Sequence, residues 1–167
     1  MCHLNLKKQH TMKHLFKVIL IFIVTFTSCQ KAITKIDDSA DFKAVEQVVQ
    51  GVFDDIWSDK KAELLTKYHT DDFILLEHGE VWTNDTIANW CKRAKLRDTG
   101  LKRINSFDFF KAEKEDNRIW MAYHNYATIK SDSLERKLQW LESIVAIKKD
   151  STWKLEMMHS TRVNITQ

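Results

Sequence analysis

The run LESIVAIKKDSTWKLEMMHST, residues 141–161, reads as two β-strands joined at the polar break Asp150-Ser151. In its second half Trp153, Leu155 and Met157 alternate with Lys154 and Glu156, the period-two signature of a strand with one buried face. The same face runs on into His159, a side chain that can accept, donate or carry a proton. A two-residue turn at Asp150-Ser151, the commoner hairpin connection, sets Lys148 opposite Trp153, Ala146 opposite Leu155, Ile144 opposite Met157 and Glu142 opposite His159, with Trp140 one step further. A register displaced by one residue brings Leu141 beside His159 and turns Glu142 to the other face. The sequence leaves both registers open.

Outward from this hairpin the pattern stays β as far back as Gly100. Residues 102–114, 117–130, 135–149 and 152–165 are rich in aromatic and β-branched residues, and the breaks at Glu115-Asp116 and Ser131-Asp132-Ser133 predict an antiparallel meander. On the second of these strands Trp120, His124 and Tyr126 share one face and Met121, Tyr123 and Asn125 the other. One face meets the interior and the other offers a dimer surface; the alternation does not say which. Before Gly100 the period changes. Phe42, Val45, Val48, Val49, Val52, Phe53 and Ile56 recur at three and four residues, which predicts an amphipathic helix over 41–58. Asp59 can cap a short second helix with Leu64, Leu65 and Tyr68 inward. DDFILLEHGEVWT follows as a strand, a turn at His78-Gly79 and a short second strand. A third helix starts at Asn84 or Asp85, with the stripe Ile87, Trp90, Cys91 and Ala94. Three helices and then a run of strands imply an α+β fold, a cone in which the helices pack on a strongly curved, mostly antiparallel sheet and enclose a pocket.

The first residues belong to a different kind of segment. Met12–Cys29, MKHLFKVILIFIVTFTSC, has a basic start, an apolar run from Val18 to Phe26 and small residues before a cysteine, which is the layout of a secretory signal. The apolar run is short of the roughly 20 residues of a membrane span. The ending Ser28-Cys29 resembles a bacterial lipoprotein signal, with Phe26 where such signals usually carry Leu, and the resemblance makes Cys29 the lipidated first residue of an exported protein tethered to a membrane of the cell envelope. This divides the chain into a signal over 1–28 (with 1–11 upstream of a more natural start at Met12), a lipidated Cys and tether over 29–40, and a domain over 41–165.

Removing the signal changes the charge. Residues 1–28 hold Lys7, Lys8, Lys13 and Lys17 and no acid, so 22 of the 26 basic residues remain against 23 acidic ones. The net of −1 removes the main electrostatic support for a nucleic-acid partner, and pairs such as Lys92-Arg93 and Lys148-Lys149 read as solvated faces. With Cys2 lost and Cys29 acylated, Cys91 stands alone as a small hydrophobe, and no cysteine-rich metal site is available. His69, Glu77 and His78 lack the spacing of a recognised metal site; Glu77 and His78 are adjacent on a strand and so point to opposite faces. No metal and no cofactor is expected.

The order of elements, with YHTDDFILLEHGEVWTNDTI (68–87) and LESIVAIKKDSTWKLEMMHST (141–161), resembles the nuclear-transport-factor-2-like superfamily and its SnoaL-like branch over about residues 41–165. The resemblance implies a ligand in the cone between sheet and helices, lined by the final strand, and so an inward His159. It also implies pocket walls from Trp57 and Trp90, to which Tyr68, Glu77, Trp140 and Met157 are added as lining. The superfamily includes isomerases, cyclases, dehydratases and dimerising modules, so the fold does not choose the function. Ketosteroid isomerase within it pairs a carboxylate base with a tyrosine and a protonated acid; Tyr68, Tyr123 and Tyr126 are the donors here, and none aligns to that role.

Three readings follow. The first is a membrane-tethered domain holding a small, largely apolar molecule in a cavity of at least roughly 300 Å3. The second is a non-catalytic module that forms a homodimer through the outer sheet face. The third is an isomerase or dehydratase acting through Glu142 and His159, in which the carboxylate orients the imidazole. The competing reading of that pair is a structural hydrogen bond at the pocket rim.

Overall fold

The computed structural model describes residues 37–97 and 100–164. The expected signal, Cys29 and most of the expected tether lie outside the described residues. Helix α1 (Ser39–Gly51) begins two residues before the expected start of the domain and places Val45 and Val49 in the core. It continues without a break into a wider π-helical turn, Val52–Ser58, which buries Phe53, Ile56 and Trp57. The expected second helix is a 3-10 turn, Ala62–Leu64, followed by the four-residue α2 (Leu65–Tyr68). Strands β1 (His69–Glu77) and β2 (Glu80–Thr83) flank the turn at His78-Gly79, where both residues have positive φ. Helix α3 (Asn84–Leu96) is capped by Thr83, whose hydroxyl accepts from the Thr86 amide, rather than by Asn84 or Asp85. Asn84 has another task, described below.

The remaining strands match the pattern closely: β3 (Lys102–Glu115), β4 (Arg118–Lys130), β5 (Glu135–Lys149) and β6 (Thr152–Val163). The six strands lie in the order β2-β1-β6-β5-β4-β3, antiparallel except for the parallel β1–β6 pair. The helices pack on one face of this sheet, which is the expected α+β cone. Met121, Tyr123 and Asn125 take the inner face and are buried, whereas Trp120 and Tyr126 are exposed.

Two local features fix the geometry of the site. The Asp150-Ser151 turn has positive φ at both residues, the primed turn whose twist suits a two-residue hairpin. It sets Lys148 opposite Trp153 and Ala146 opposite Leu155, as expected from its length. Beyond that point Val145 pairs with Met157, so Glu156 is one extra residue in β6, a β-bulge. Arg118 holds the bulged Glu156 with two hydrogen bonds, from Nε at 3.2 Å and from a terminal nitrogen at 3.0 Å.

The start of α1 is clamped to the sheet by charge. Asp41 accepts from Lys114 Nζ on β3 (2.8 Å), Lys148 Nζ on β5 (2.9 Å) and the Trp153 indole on β6 (3.0 Å). These donors, Lys114 foremost, hold its carboxyl far below the usual carboxylate range. At the other end of the helix, Gly51 lies against the Tyr68 ring, and a Cβ there would come within 2.5 Å of it.

Candidate functional site

The β6 bulge decides which side chains reach the interior. Before it, Trp153 and Leu155 point inward; after it, Met158 and Ser160 do, and Met157 and His159 turn away. Glu142 therefore pairs with Ser160, and His159 pairs with Ser143. His159 is exposed and lines a shallow hollow on the outside with His78 and Glu80. The expected Glu142–His159 pair does not form.

Glu142 is 4 % exposed and belongs to a polar chain that crosses four strands. Arg103 Nε donates to Asn105 Oδ1 (2.9 Å), Asn105 Nδ2 to Asn125 Oδ1 (2.6 Å), and Asn125 Nδ2 to Glu142 Oε2 (3.2 Å). Ser160 Oγ donates to the other carboxyl oxygen at 3.0 Å. A cation at one end and a carboxylate at the other fix both asparagine amides in one orientation. Burial drives the Glu142 carboxyl up to about 7, against the opposing pull of Asn125, Ser160 and the Arg103 charge. The buried Tyr123 hydroxyl sits near enough for that carboxylate to push its pKa up, although burial is the larger cause.

This chain borders an inner cavity of about 200 Å3 between the π-turn, α3 and the sheet. Trp57, Trp82, Trp90 and Trp140 are its flat walls, Leu75 and Met158 add aliphatic surface, and Glu77, Arg103, Glu142 and Ser160 are its polar groups. The indole of Trp57 lies 5.0 Å from that of Trp90 and 6.4 Å from that of Trp82. These rings keep the cavity below the expected volume. The Arg103 guanidinium is held between the Phe53 ring (5.5 Å) and the Trp140 ring (5.0 Å). Glu77 also has a raised pKa, again from burial, offset by His78 and Arg103.

Of the residues expected to line the pocket, Trp57, Glu77, Trp90 and Trp140 do so, and Glu142, expected as the partner of His159, lines it as well. Tyr68 does not: its hydroxyl donates to Asp55 and accepts from Lys67 at 2.7 Å, beside Gly51. Met157 does not either, because the bulge gives its place to Met158. Arg103 and Asn105 were not expected at the site, and Asn125 was expected only on one face of its strand. Arg103, Asn105, Phe107 and Phe109 do alternate on one face in KRINSFDFF, and Asn125 shares its face with Met121 and Tyr123, so the period-two signal was present.

His69 is a buried histidine stacked on Phe73, with ring centroids 3.8 Å apart. The Asn84 amide donates to the Thr70 carbonyl (2.8 Å), so its oxygen accepts from His69 Nδ1 (2.9 Å). Burial pulls this imidazole down to about 4 and keeps it neutral. No cluster of three or more metal-ligating side chains occurs among the described residues.

No protein-family model matches the chain, and no curated protein matches it. Among solved structures it is similar to the CaMKII hub homology domain of Chlamydamonas reinhardtii, at 16 % identity and a TM-score of 0.66, covering 74 % of this chain and 99 % of that one. A nuclear-transport-factor-2-like protein from Cytophaga hutchinsonii is similar at 13 % identity and a TM-score of 0.57, over 77 % of this chain and 100 % of that one. So is a ketosteroid isomerase-like protein from Erwinia carotovora atroseptica, at 11 % and 0.57, over 78 % and 99 %. At these identities the likeness establishes the fold: the domain has the nuclear-transport-factor-2-like α+β cone.

Proposed function

We propose that the domain binds a small, ring-bearing, largely apolar molecule in the inner cavity, with Glu142 as the group that exchanges a proton with it. The observation that carries this reading is Glu142 itself, a buried carboxyl titrating near neutrality on the wall of a tryptophan-lined cavity. Near pH 7 such a group is both a hydrogen-bond donor and a base, the two capacities that an isomerase or dehydratase needs. His159 has no part in this chemistry. The signal-like start of the chain supports export and anchoring to the cell envelope through lipid on Cys29.

The test is indole N–H NMR during addition of single-ring aromatic fragments. The signals of Trp57, Trp82, Trp90 and Trp140 are expected to shift, and that of Trp120, exposed on the other face, is expected to stay. If those four signals do not respond to any such fragment, the binding reading fails.

A second reading concerns the outer face, where Ile104, Phe110, Trp120, Tyr126 and Leu141 are all exposed across β3, β4 and β5. His124 bridges Phe110 and Tyr126, with ring centroids 5.2 and 6.0 Å away. An apolar row of this kind supports a homodimer formed sheet to sheet. One similar structure is of a hub domain, which agrees with assembly through this fold. Binding inside the cone and pairing through its outer face are compatible.

A further inference from the structure

The inner cavity opens beside a second, larger cleft of about 540 Å3, and Trp57, Trp90 and Arg103 line both. The cleft is basic. Lys60, Arg93, Lys95, Arg97, Arg103 and Arg136 border it, and its one described acid, Asp59, is paired with Lys61 at 2.8 Å. None of Arg93, Lys95, Arg97 and Arg136 forms a salt bridge among the described residues, although the domain outside the signal carries a net charge of only −1. So many unpaired cations around one concave surface are an electrostatic focus for an anion.

Two side chains at the junction point to where that anion meets the ring. Arg103 commits Nε to Asn105, lies over the Phe53 and Trp140 rings and lines both cavities, so its guanidinium is held in place at the junction, where the charges of Glu142 and Glu77 also act on it. A fixed guanidinium of this kind suits bidentate contact with a carboxylate or phosphate. Trp57 is 8 % exposed, and its indole N–H has no acceptor among the described residues. A buried donor without a partner, on the wall shared by two cavities, calls for an acceptor from a bound molecule.

We propose that the ligand is a ring-bearing anion, its ring among the tryptophans of the inner cavity and its acidic group at Arg103, facing the basic cleft. A cavity of about 150 Å3 takes a benzene ring, so 200 Å3 admits one ring with a short substituent. This inference rests on the binding reading above and adds the charge of the ligand. It also replaces the view of Arg93 as part of a merely solvated face.

Two probes of the same shape separate charge from shape: 3-phenylpropanoate and 3-phenylpropanamide, titrated against the full-length chain by calorimetry at low and high salt. The acid is expected to bind at least about tenfold more tightly than the amide at low salt, with the gap closing at high salt as screening grows. Arg103→Gln should remove the preference for the acid. Because Arg103 also supports the polar chain, the exposed pair Arg97→Gln/Arg136→Gln provides an independent variant, expected to reduce the preference while leaving amide binding unchanged. Equal affinity for acid and amide, or a preference untouched in both variants, overturns the anion proposal and leaves the pocket standing. Failure of both compounds to bind overturns the pocket reading, and the anion proposal with it.

Discussion

Glu142 and Ser160 face each other across β5 and β6, joined by a 3.0 Å hydrogen bond, because one extra residue, Glu156, rotates the end of β6 by half a period. That bulge moves His159 to the outside and makes Glu142 the acid–base candidate without it. His159→Ala is therefore expected to leave both stability and ligand affinity within about 0.5 kcal/mol of wild type, as exposed substitutions usually do. A tenfold loss of ligand affinity in a well-folded His159→Ala protein would return the histidine to the site.

Glu142 and His69 should pull the pH dependence of stability in opposite directions. Glu142 has a folded pKa raised from 4.5 to about 7, so its contribution is fully present below 4.5 and is lost as pH rises through 7. His69 has a folded pKa lowered from 6.5 to about 4, so its contribution is present above 6.5 and is lost as pH falls through 4. Denaturation curves across this range should show Glu142→Gln gaining on wild type with rising pH, by on the order of 3 kcal/mol in all. His69→Phe, which keeps a ring against Phe73, should show the opposite trend. A constant offset between Glu142→Gln and wild type would mean that the carboxyl is not perturbed.

Asp41 gathers Lys114, Lys148 and Trp153 at the start of α1, and its depressed pKa defines a separate window. The stability it contributes is present above its ordinary value of 3.8 and is lost as pH falls below that. Asp41→Asn is expected to cost about 1–3 kcal/mol at pH 7 by urea denaturation. The deficit should shrink in strong acid, where wild type loses the same interactions.

Gly51 is needed for close approach. Gly51→Ala would ordinarily favour a helix, yet the added Cβ meets the Tyr68 ring at 2.5 Å and its hydroxyl at 2.7 Å. Overpacking should dominate, with a loss of about 1–3 kcal/mol. Gly51→Ala combined with Tyr68→Leu should recover part of it; equal loss in both proteins would remove the ring from the explanation.

The outer face has its own test. Leu141→Lys places a charge in the exposed apolar row and should give a monomer by sedimentation equilibrium at concentrations where wild type is dimeric. A monomeric wild type, or a Leu141→Lys dimer of unchanged affinity, contradicts sheet-to-sheet pairing.

Strand spans, the helix before them and the two-residue hairpin all follow from period and turn chemistry, because buried faces and polar breaks leave a plain pattern in residues 102–163. The face of β6 beyond Leu155 does not. In EMMH either methionine can be the inward one, and the bulged Glu156 finds its partner in Arg118, 38 residues earlier in the chain. The pairing of Glu142 with Ser160 is a tertiary result for that reason. The polar chain is hidden in the sequence on different grounds. Arg103, Asn105 and Asn125 sit at inward positions, but polar residues there are read as interruptions of a core until a buried carboxylate is known to connect them. The cap of α3 was displaced by one residue because Asn84 is engaged with His69 and Thr70, leaving Thr83 to cap.

Titration of the Glu142 side-chain carboxyl, followed by carbon-13 NMR in the free protein and with a saturating single-ring ligand, is the decisive measurement. A midpoint near 7 that moves on ligand binding is the expected result. A midpoint near 4.5, unchanged by any ligand that enters the cavity, would contradict a proton-exchanging Glu142 in the binding site.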